Sequence, residues 1–149
     1  MKKVLYTKNK EETMSLGHQL VKILPKGAVI RLTGDLGAGK TTLVRGIAEA
    51  LHIKEIVQSP TFNIMKIYFK GDKPLIHIDA YRLKDINNDI GLDEYIGYPI
   101  GLTVIEWPEF INDQIPEDAI EITILNKGED NREITIEAEN SVLEEINND

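Results

Sequence analysis

Cysteine is absent from the 149 residues. This absence excludes a disulfide scaffold, a thiolate zinc site and a cysteine nucleophile, and it is compatible with a reducing compartment. Long hydrophobic runs are also missing, because no uncharged stretch approaches the ~20 residues that a membrane-spanning helix needs. After the N-terminal lysines only Val4, Leu5 and Tyr6 form an apolar run, which is too short for a signal peptide. We therefore expect a soluble, cytoplasmic protein with no membrane partner.

Basic residues are scarce in the last third of the chain. Residues 1–50 carry nine Lys and Arg against four Asp and Glu, whereas residues 101–149 carry two against fourteen. The formal net charge of the whole chain is -8 at pH 7. Such a surface repels a phosphate backbone, so nucleic-acid binding by the chain alone is not expected. The acidic third is either a solvated face or a docking surface for a basic partner.

The composition is that of an ordinary globular domain. Apolar residues make up 42% and charged residues 28% of the chain, which excludes a disordered chain. The length suits one domain of about 150 residues, and neither repeats nor Pro/Gly-rich linkers divide it. We therefore predict a single domain over residues 1–149.

Hydrophobic periodicity predicts strands that alternate with helices. Asn9 followed by Glu12 is typical of a helix start, and helical spacing continues until Pro25. A second helix is predicted over Lys40–Leu51, and a hairpin turn across Asn126–Arg132. These patterns favour an α/β fold with helices on both faces of a mixed sheet. Apolar or alternating runs predict strands at residues 3–6, 28–33, 62–69, 75–79, 102–106, 120–125 and 133–138.

The strongest signal is a glycine-rich stretch that fits the phosphate-loop pattern G-x-x-x-x-G-K-S/T. It runs from Gly34 to Thr41 and lies between a predicted strand and a predicted helix. Its glycines let backbone N–H groups point at an anion, and the following helix adds its N-terminal N–H groups and dipole. Lys40 is expected against the outer phosphates, and the Thr41 hydroxyl on a magnesium ion. Thr42 either contacts the α-phosphate or is a plain first-turn residue.

Two carboxylates each follow an apolar strand. Asp79 ends the run Ile76–Asp79, and Glu106 ends the run Thr103–Glu106. Ligands of open parallel sheets lie beyond the carboxyl ends of the strands, so both acids are expected in one crevice with the glycine-rich stretch. Glu106 is predicted to bind magnesium or to act as a general base. Asp79 either holds the metal or water or caps a turn, and His77 is interpreted as a structural strand residue.

Three further residues keep more than one interpretation. Thr61 either senses the γ-phosphate as part of a switch or belongs to an ordinary loop that Pro60 turns. Arg82 either neutralises charge in the crevice or forms a surface ion pair. Trp107 is a core residue by default, and otherwise stacks on a base or anchors a partner.

Five motifs in this order closely resemble those of the bacterial TsaE family. They are Gly34–Thr42, Ser59–Phe62, His77–Leu83, Gly91–Tyr95 and Glu106–Trp107. Members of this family are small P-loop ATPases needed to make threonylcarbamoyladenosine in tRNA. The resemblance implies a P-loop NTPase three-layer sandwich with a mixed, mostly parallel central sheet.

The resemblance also implies roles for individual residues. Thr41 and Glu106 would hold Mg²⁺, and Thr61 would lie in a switch-like loop. Hydrolysis of ATP would depend on Glu106, Asp79 and Lys40. The residues implied to bind the nucleotide are Gly37, Ala38, Gly39, Lys40, Thr41, Thr42 and Thr61.

The partners implied by the resemblance are the proteins TsaD and TsaB. The chain would dock near their interface and hydrolyse ATP only weakly when alone. Threonylcarbamoyl transfer would belong to TsaD, and tRNA would be reached only indirectly through that assembly.

Three alternatives remain from other classes of protein. A small-molecule kinase uses the same loop, but the last third offers only Lys127 and Arg132 for a basic lid. Residues 126–129 come near the guanine-reading Asn-Lys-x-Asp of GTPases, but Glu129 replaces the aspartate. A nucleotide-binding module without turnover would need Lys40 and Thr41 but no positioned Glu106.

Overall fold

The computed structural model describes residues 1–35, 37–58, 60, 64–84 and 91–146. The helices are α1 (Lys10–Ile23), α2 (Lys40–Ala50) and α3 (Asn140–Glu144). The strands are β1 (Lys2–Thr7), β2 (Val29–Gly34), β3 (Met65–Tyr68), β4 (Leu75–Asp79), β5 (Leu102–Glu106), β6 (Ile120–Asn126) and β7 (Arg132–Glu137). Among these described residues, no helix is both long and apolar enough to cross a membrane.

All seven strands form one sheet in the order β1-β7-β6-β2-β5-β4-β3. The central strands β6, β2, β5 and β4 are parallel to one another, whereas β3 pairs antiparallel with β4, β7 with β6, and β1 with β7. Both β4 and β5 are buried along their whole length, as strands covered on two faces must be. The predicted mixed α/β sheet and its β6–β7 hairpin are confirmed.

Each face of the sheet has its own apolar core. On one face, α1 and α2 pack against β2, where Leu20, Ile47 and Leu32 are fully buried. On the other face, Ile78 of β4 and Ile105 of β5 belong to a second cluster. Short 3₁₀ segments cover that second cluster, at Tyr81–Leu83, Leu92–Glu94 and Pro108–Gln114. In the part of the chain that the structure describes, the layer on this second face is therefore built from 3₁₀ turns.

The start of α1 follows its sequence signal. The Asn9 side chain accepts a hydrogen bond from the Glu12 backbone N–H at 2.8 Å, and the Glu12 carboxylate accepts one from the Lys8 N–H at 2.9 Å. β3 ends at Tyr68, one residue before the end of the strand predicted over residues 62–69, because its partner β4 begins at Leu75, which pairs with Tyr68. β3 begins at Met65, and residues 62 and 63 of that prediction lie outside the described residues.

The two long helices approach so closely that only glycine fits at their crossing. A Cβ atom on Gly46 of α2 would lie 2.6 Å from the Met14 Cα atom of α1. We expect Gly46→Ala to lower the free energy of unfolding by about 3 kcal/mol, because a rigid backbone contact must move to admit the methyl group. Urea denaturation measures this change. Lys22→Ala on the exposed side of α1 is the control and should stay within about 0.5 kcal/mol of the parent; equal midpoints for both variants would contradict the prediction.

Candidate functional site

A glycine-rich loop joins the end of β2 to the start of α2. Gly37 and Gly39 have φ angles of 80° and 107°, in the region that side chains disfavour. Apart from Gly37 itself and its two chain neighbours, no heavy atom of the described residues lies within 4 Å of the place where a Cβ of Gly37 would stand. Gly39 is the N-cap of α2, and no side chain forms a capping hydrogen bond there. The first N–H groups of the helix therefore face the loop. This arrangement suits an anion.

The two carboxylates lie side by side at the carboxyl ends of β4 and β5. Asp79 pairs with Glu106 in the parallel register. Side chains alternate along each strand, so both acids share the sheet face of Leu75 and Leu102, the face that α2 covers. Both are buried, with 4% of Asp79 and 3% of Glu106 exposed.

Glu106 has a basic side chain beside each of its carboxylate oxygens. Lys40 Nζ lies 3.7 Å from Oε1, and His77 Nε2 lies 2.6 Å from Oε2. Lys40 is itself buried, and its ammonium also lies 4.8 Å from the centre of the Trp107 ring. The two contacts of Glu106 offset part of the cost of burying a polar group away from water.

Lys40, Glu106 and Trp107 line one cleft of about 780 Å³, a volume in the range of ligand sites. Of the predicted site residues, Ala38 is buried behind the lining, and Thr61 falls outside the described residues. Arg82 is exposed and is not part of the lining. The lining comprises Lys10, Gly37, Gly39, Lys40, Thr41, Thr42, Asp79, Tyr81, Glu106, Trp107, Asp130 and Arg132.

Aromatic rings form one wall of the cleft. The Trp107 ring centre lies 5.1 Å from that of Tyr81 and 6.2 Å from that of Phe110. Trp107 is only partly buried and has a left-handed backbone, with φ of 56°. Trp107 packs against the second core, in line with its default interpretation, and its ring also borders Lys40 in the cleft.

Arg132 is the site residue whose position the sequence did not reveal. It begins β7, and its Nε donates a hydrogen bond to the Ala38 carbonyl at 2.6 Å. A terminal guanidinium nitrogen donates to the Gly37 carbonyl at 3.4 Å, and the other donates to the Glu129 carbonyl at 2.7 Å. One side chain thus joins the β6–β7 turn to the glycine-rich loop.

Comparison with known proteins gives a consistent result. A family model described as "Threonylcarbamoyl adenosine biosynthesis protein TsaE" matches residues 7–134. The chain is 46% identical over 132 residues to the tRNA threonylcarbamoyladenosine biosynthesis protein TsaE of Bacillus subtilis, with 89% of this chain and 83% of that protein covered. It is 37% identical over 132 residues to the protein of the same name from Treponema pallidum, with 87% and 96% covered. The crystal structure of Bacillus subtilis YdiB superposes with a TM-score of 0.79 at 36% identity, covering 97% of this chain and 91% of that one.

Proposed function

Because the chain belongs to the TsaE family, whose members take part in tRNA threonylcarbamoyladenosine biosynthesis, we propose that it acts there as a Mg²⁺-dependent ATPase. The carrying observation is the burial of Lys40 beside Glu106 at the point where the glycine-rich loop enters α2. Residues 1–149 would then work as one P-loop ATPase domain in the cytoplasm.

ATP binding is supported by the chemistry of the glycine-rich loop. A triphosphate needs several N–H donors and at least one cation, and the start of α2 offers both next to Lys40. Thr41 and Thr42 line the same cleft. Asn126, the residue nearest to a guanine reader, instead accepts hydrogen bonds within its own turn from the Gly128 N–H and from Arg132. ATP is therefore the nucleotide we propose, and a competition with GTP tests that choice.

The residues beside the loop fit a magnesium ion that arrives with the nucleotide. The Thr41 hydroxyl and the Glu106 carboxylate line the cleft, and Mg²⁺ prefers such oxygen ligands. The described residues contain no group of three or more His, Asp or Glu side chains that could hold a metal. Mg²⁺ usually takes one or two carboxylates and fills its shell with phosphate oxygens and water. When bound, it would neutralise charge on the outer phosphates.

The two carboxylates and Lys40 are the groups that we propose for hydrolysis. Glu106 would hold the metal, and Asp79 would orient the attacking water. One oxygen of Asp79 accepts a hydrogen bond from the Tyr81 N–H at 3.0 Å, which fixes the orientation of its carboxylate. Lys40 would stabilise negative charge on the phosphates as the bond breaks.

We propose TsaD and TsaB as the working partners. A chain with a net charge of -8 is a poor reader of tRNA, so it would act on a protein assembly and reset that assembly between turnovers. Threonylcarbamoyl transfer would remain with TsaD, and tRNA would be met only through the assembly. Tight, salt-sensitive binding of tRNA by this chain alone would contradict the proposal.

An ATPase assay with and without purified TsaD and TsaB tests the proposed function. We expect slow hydrolysis by the chain alone and strong stimulation by the two partners. Rapid phosphorylation of a metabolite would instead favour a kinase. ATP binding without hydrolysis in either condition would favour a nucleotide-binding module without turnover.

Removing the Arg132 side chain should weaken nucleotide binding. Arg132→Ala frees the carbonyl groups of Gly37 and Ala38 and uncouples the loop from the β6–β7 turn. We expect ATP affinity to fall about tenfold, since hydrogen bonds from a charged donor contribute about 1.5–3 kcal/mol. Isothermal titration calorimetry measures this change. Lys127→Ala in the same turn is the control, because this exposed lysine pairs only loosely with Glu133 at 3.9 Å; equal affinities for the two variants would contradict the prediction.

A further inference from the structure

We propose that His77 is a positioning residue, which holds the Glu106 carboxylate in the orientation that ATP hydrolysis requires. This inference rests on the proposed ATPase function and adds to it a residue outside the cleft lining. It assigns a role to a side chain that strand patterns alone describe as structural.

The sheet register brings His77 against Glu106. His77 stands opposite Val104, and Asp79, two residues further along β4, stands opposite Glu106. His77 and Glu106 are therefore diagonal neighbours on one face of adjacent strands, within reach of a long side chain. The imidazole has no exposed surface, and its Nε2 lies 2.6 Å from Glu106 Oε2.

The second ring nitrogen of His77 shows that packing alone does not explain an imidazole here. Nδ1 is buried and has no hydrogen-bond partner among the described residues. An apolar side chain would fill the same space without burying a polar nitrogen. Within the described part of the chain, the polar contact of the ring is therefore the one between Nε2 and Glu106 Oε2. The proposed role requires the tautomer in which Nε2–H donates to this oxygen.

Lys40 and His77 contact different oxygen atoms of the Glu106 carboxylate. Lys40 lies by Oε1, on the cleft side, and His77 lies by Oε2, on the buried side. A triphosphate in the cleft would attract the Lys40 ammonium toward its own oxygens. His77 would then be the contact that keeps the carboxylate plane from rotating, as the hydrogen-bond partners of ligating carboxylates commonly do.

Three substitutions separate this role from a structural one. Gln places an amide N–H near the position of Nε2, Asn places one near Nδ1, and Leu fills the volume without a donor. We expect His77→Leu and His77→Asn to lower kcat about 10- to 100-fold, with the KM for ATP within about threefold of the parent. His77→Gln should restore kcat to within about threefold of the parent, because it restores the donor at the required atom.

His18→Leu is the matched control for these variants. His18 also contacts a carboxylate, with Nε2 3.0 Å from Glu49 Oε1, but the pair is exposed and lies away from the cleft. The His18→Leu variant should leave kcat unchanged. ATPase rates are measured in the presence of TsaD and TsaB, and thermal denaturation confirms that each variant is folded.

A second measurement does not depend on activity. Nitrogen-15 NMR of the imidazole in the nucleotide-free protein should show the Nε2–H tautomer of His77, and Glu106→Gln should shift that signal. A folded His77→Leu with unchanged kcat, a His77→Gln as slow as His77→Leu, or an Nδ1–H tautomer would each overturn the proposal. If His77→Leu does not fold, the tautomer decides. Absence of ATPase activity in the parent protein with TsaD and TsaB would instead refute the proposed function.

Discussion

Lys40→Ala is expected to weaken ATP binding by about 100-fold, or about 2.7 kcal/mol. The Lys40 ammonium is buried between Glu106 and the Trp107 ring, where water screens it little. Its removal deletes a charge-assisted contact with the phosphates. Removal of Lys40 also leaves the Glu106 carboxylate without its neighbouring cation, so this carboxylate would repel the negatively charged triphosphate. Both effects weaken ATP binding.

Isothermal titration calorimetry with ATP measures the effect of Lys40→Ala. Lys10→Ala is the control, because Lys10 lines the same cleft from the start of α1 but is exposed to solvent. Solvent and salt screen an exposed charge, so this control should bind within about threefold of the parent. The loss of a buried pair also lowers stability, so both variants are titrated well below their unfolding temperatures. An affinity for Lys40→Ala equal to that of the control would contradict the prediction.

The parts of the fold that local sequence patterns determine were predictable. β4 and β5 have the bounds that their apolar runs predicted, because strands buried on both faces are continuously apolar. The α2 helix begins at Lys40, as the glycine-rich pattern predicted, and α1 begins after the Asn9 cap. In each case the signal and the structure lie within a few residues of each other.

The order of the strands in the sheet was not predictable from local sequence patterns. A period of two shows which side chains share a face, but not which strand lies alongside. Pairing of β1 with β7 and of β6 with β2 joins segments far apart in the chain. Arg132 reaches Ala38 only because this order brings the β6–β7 turn to the glycine-rich loop. The sequence pattern placed Arg132 at the end of the hairpin turn, just before the predicted strand 133–138, and did not indicate this contact.

In the candidate site, too, some contacts were predictable from local sequence patterns and others were not. Lys40, Asp79 and Glu106 were predicted to meet, because parallel strands deliver their last residues to one edge of a sheet. The contact of His77 with Glu106 needs the register of β4 and β5 as well, which no local pattern contains. Trp107 follows an apolar strand and was interpreted as a core residue by default; it packs against the second core, and its place in the cleft lining was not predictable from that pattern.

Glu106→Ala is expected to retain ATP binding and to lose turnover. Its buried carboxylate lies 3.7 Å from the Lys40 ammonium, so its removal deletes a proposed metal ligand while the donors of the glycine-rich loop remain. We expect kcat to fall at least about 100-fold, the scale of a positioned acid–base or metal-ligating group. ATP affinity should stay within about threefold or increase, because the substitution removes a negative charge beside the phosphates.

Single-turnover hydrolysis in the presence of TsaD and TsaB, together with ATP titration, distinguishes lost turnover from lost binding for Glu106→Ala. Glu106→Gln should share the defect, since it keeps the shape and an acceptor for His77 but not the charge. Glu109→Ala, at an exposed position of the 3₁₀ segment Pro108–Gln114, is the control and should hydrolyse ATP at the parental rate. Unchanged turnover in Glu106→Ala would remove this residue from the mechanism and shift the essential carboxylate to Asp79, which lies beside it in the register of β4 and β5.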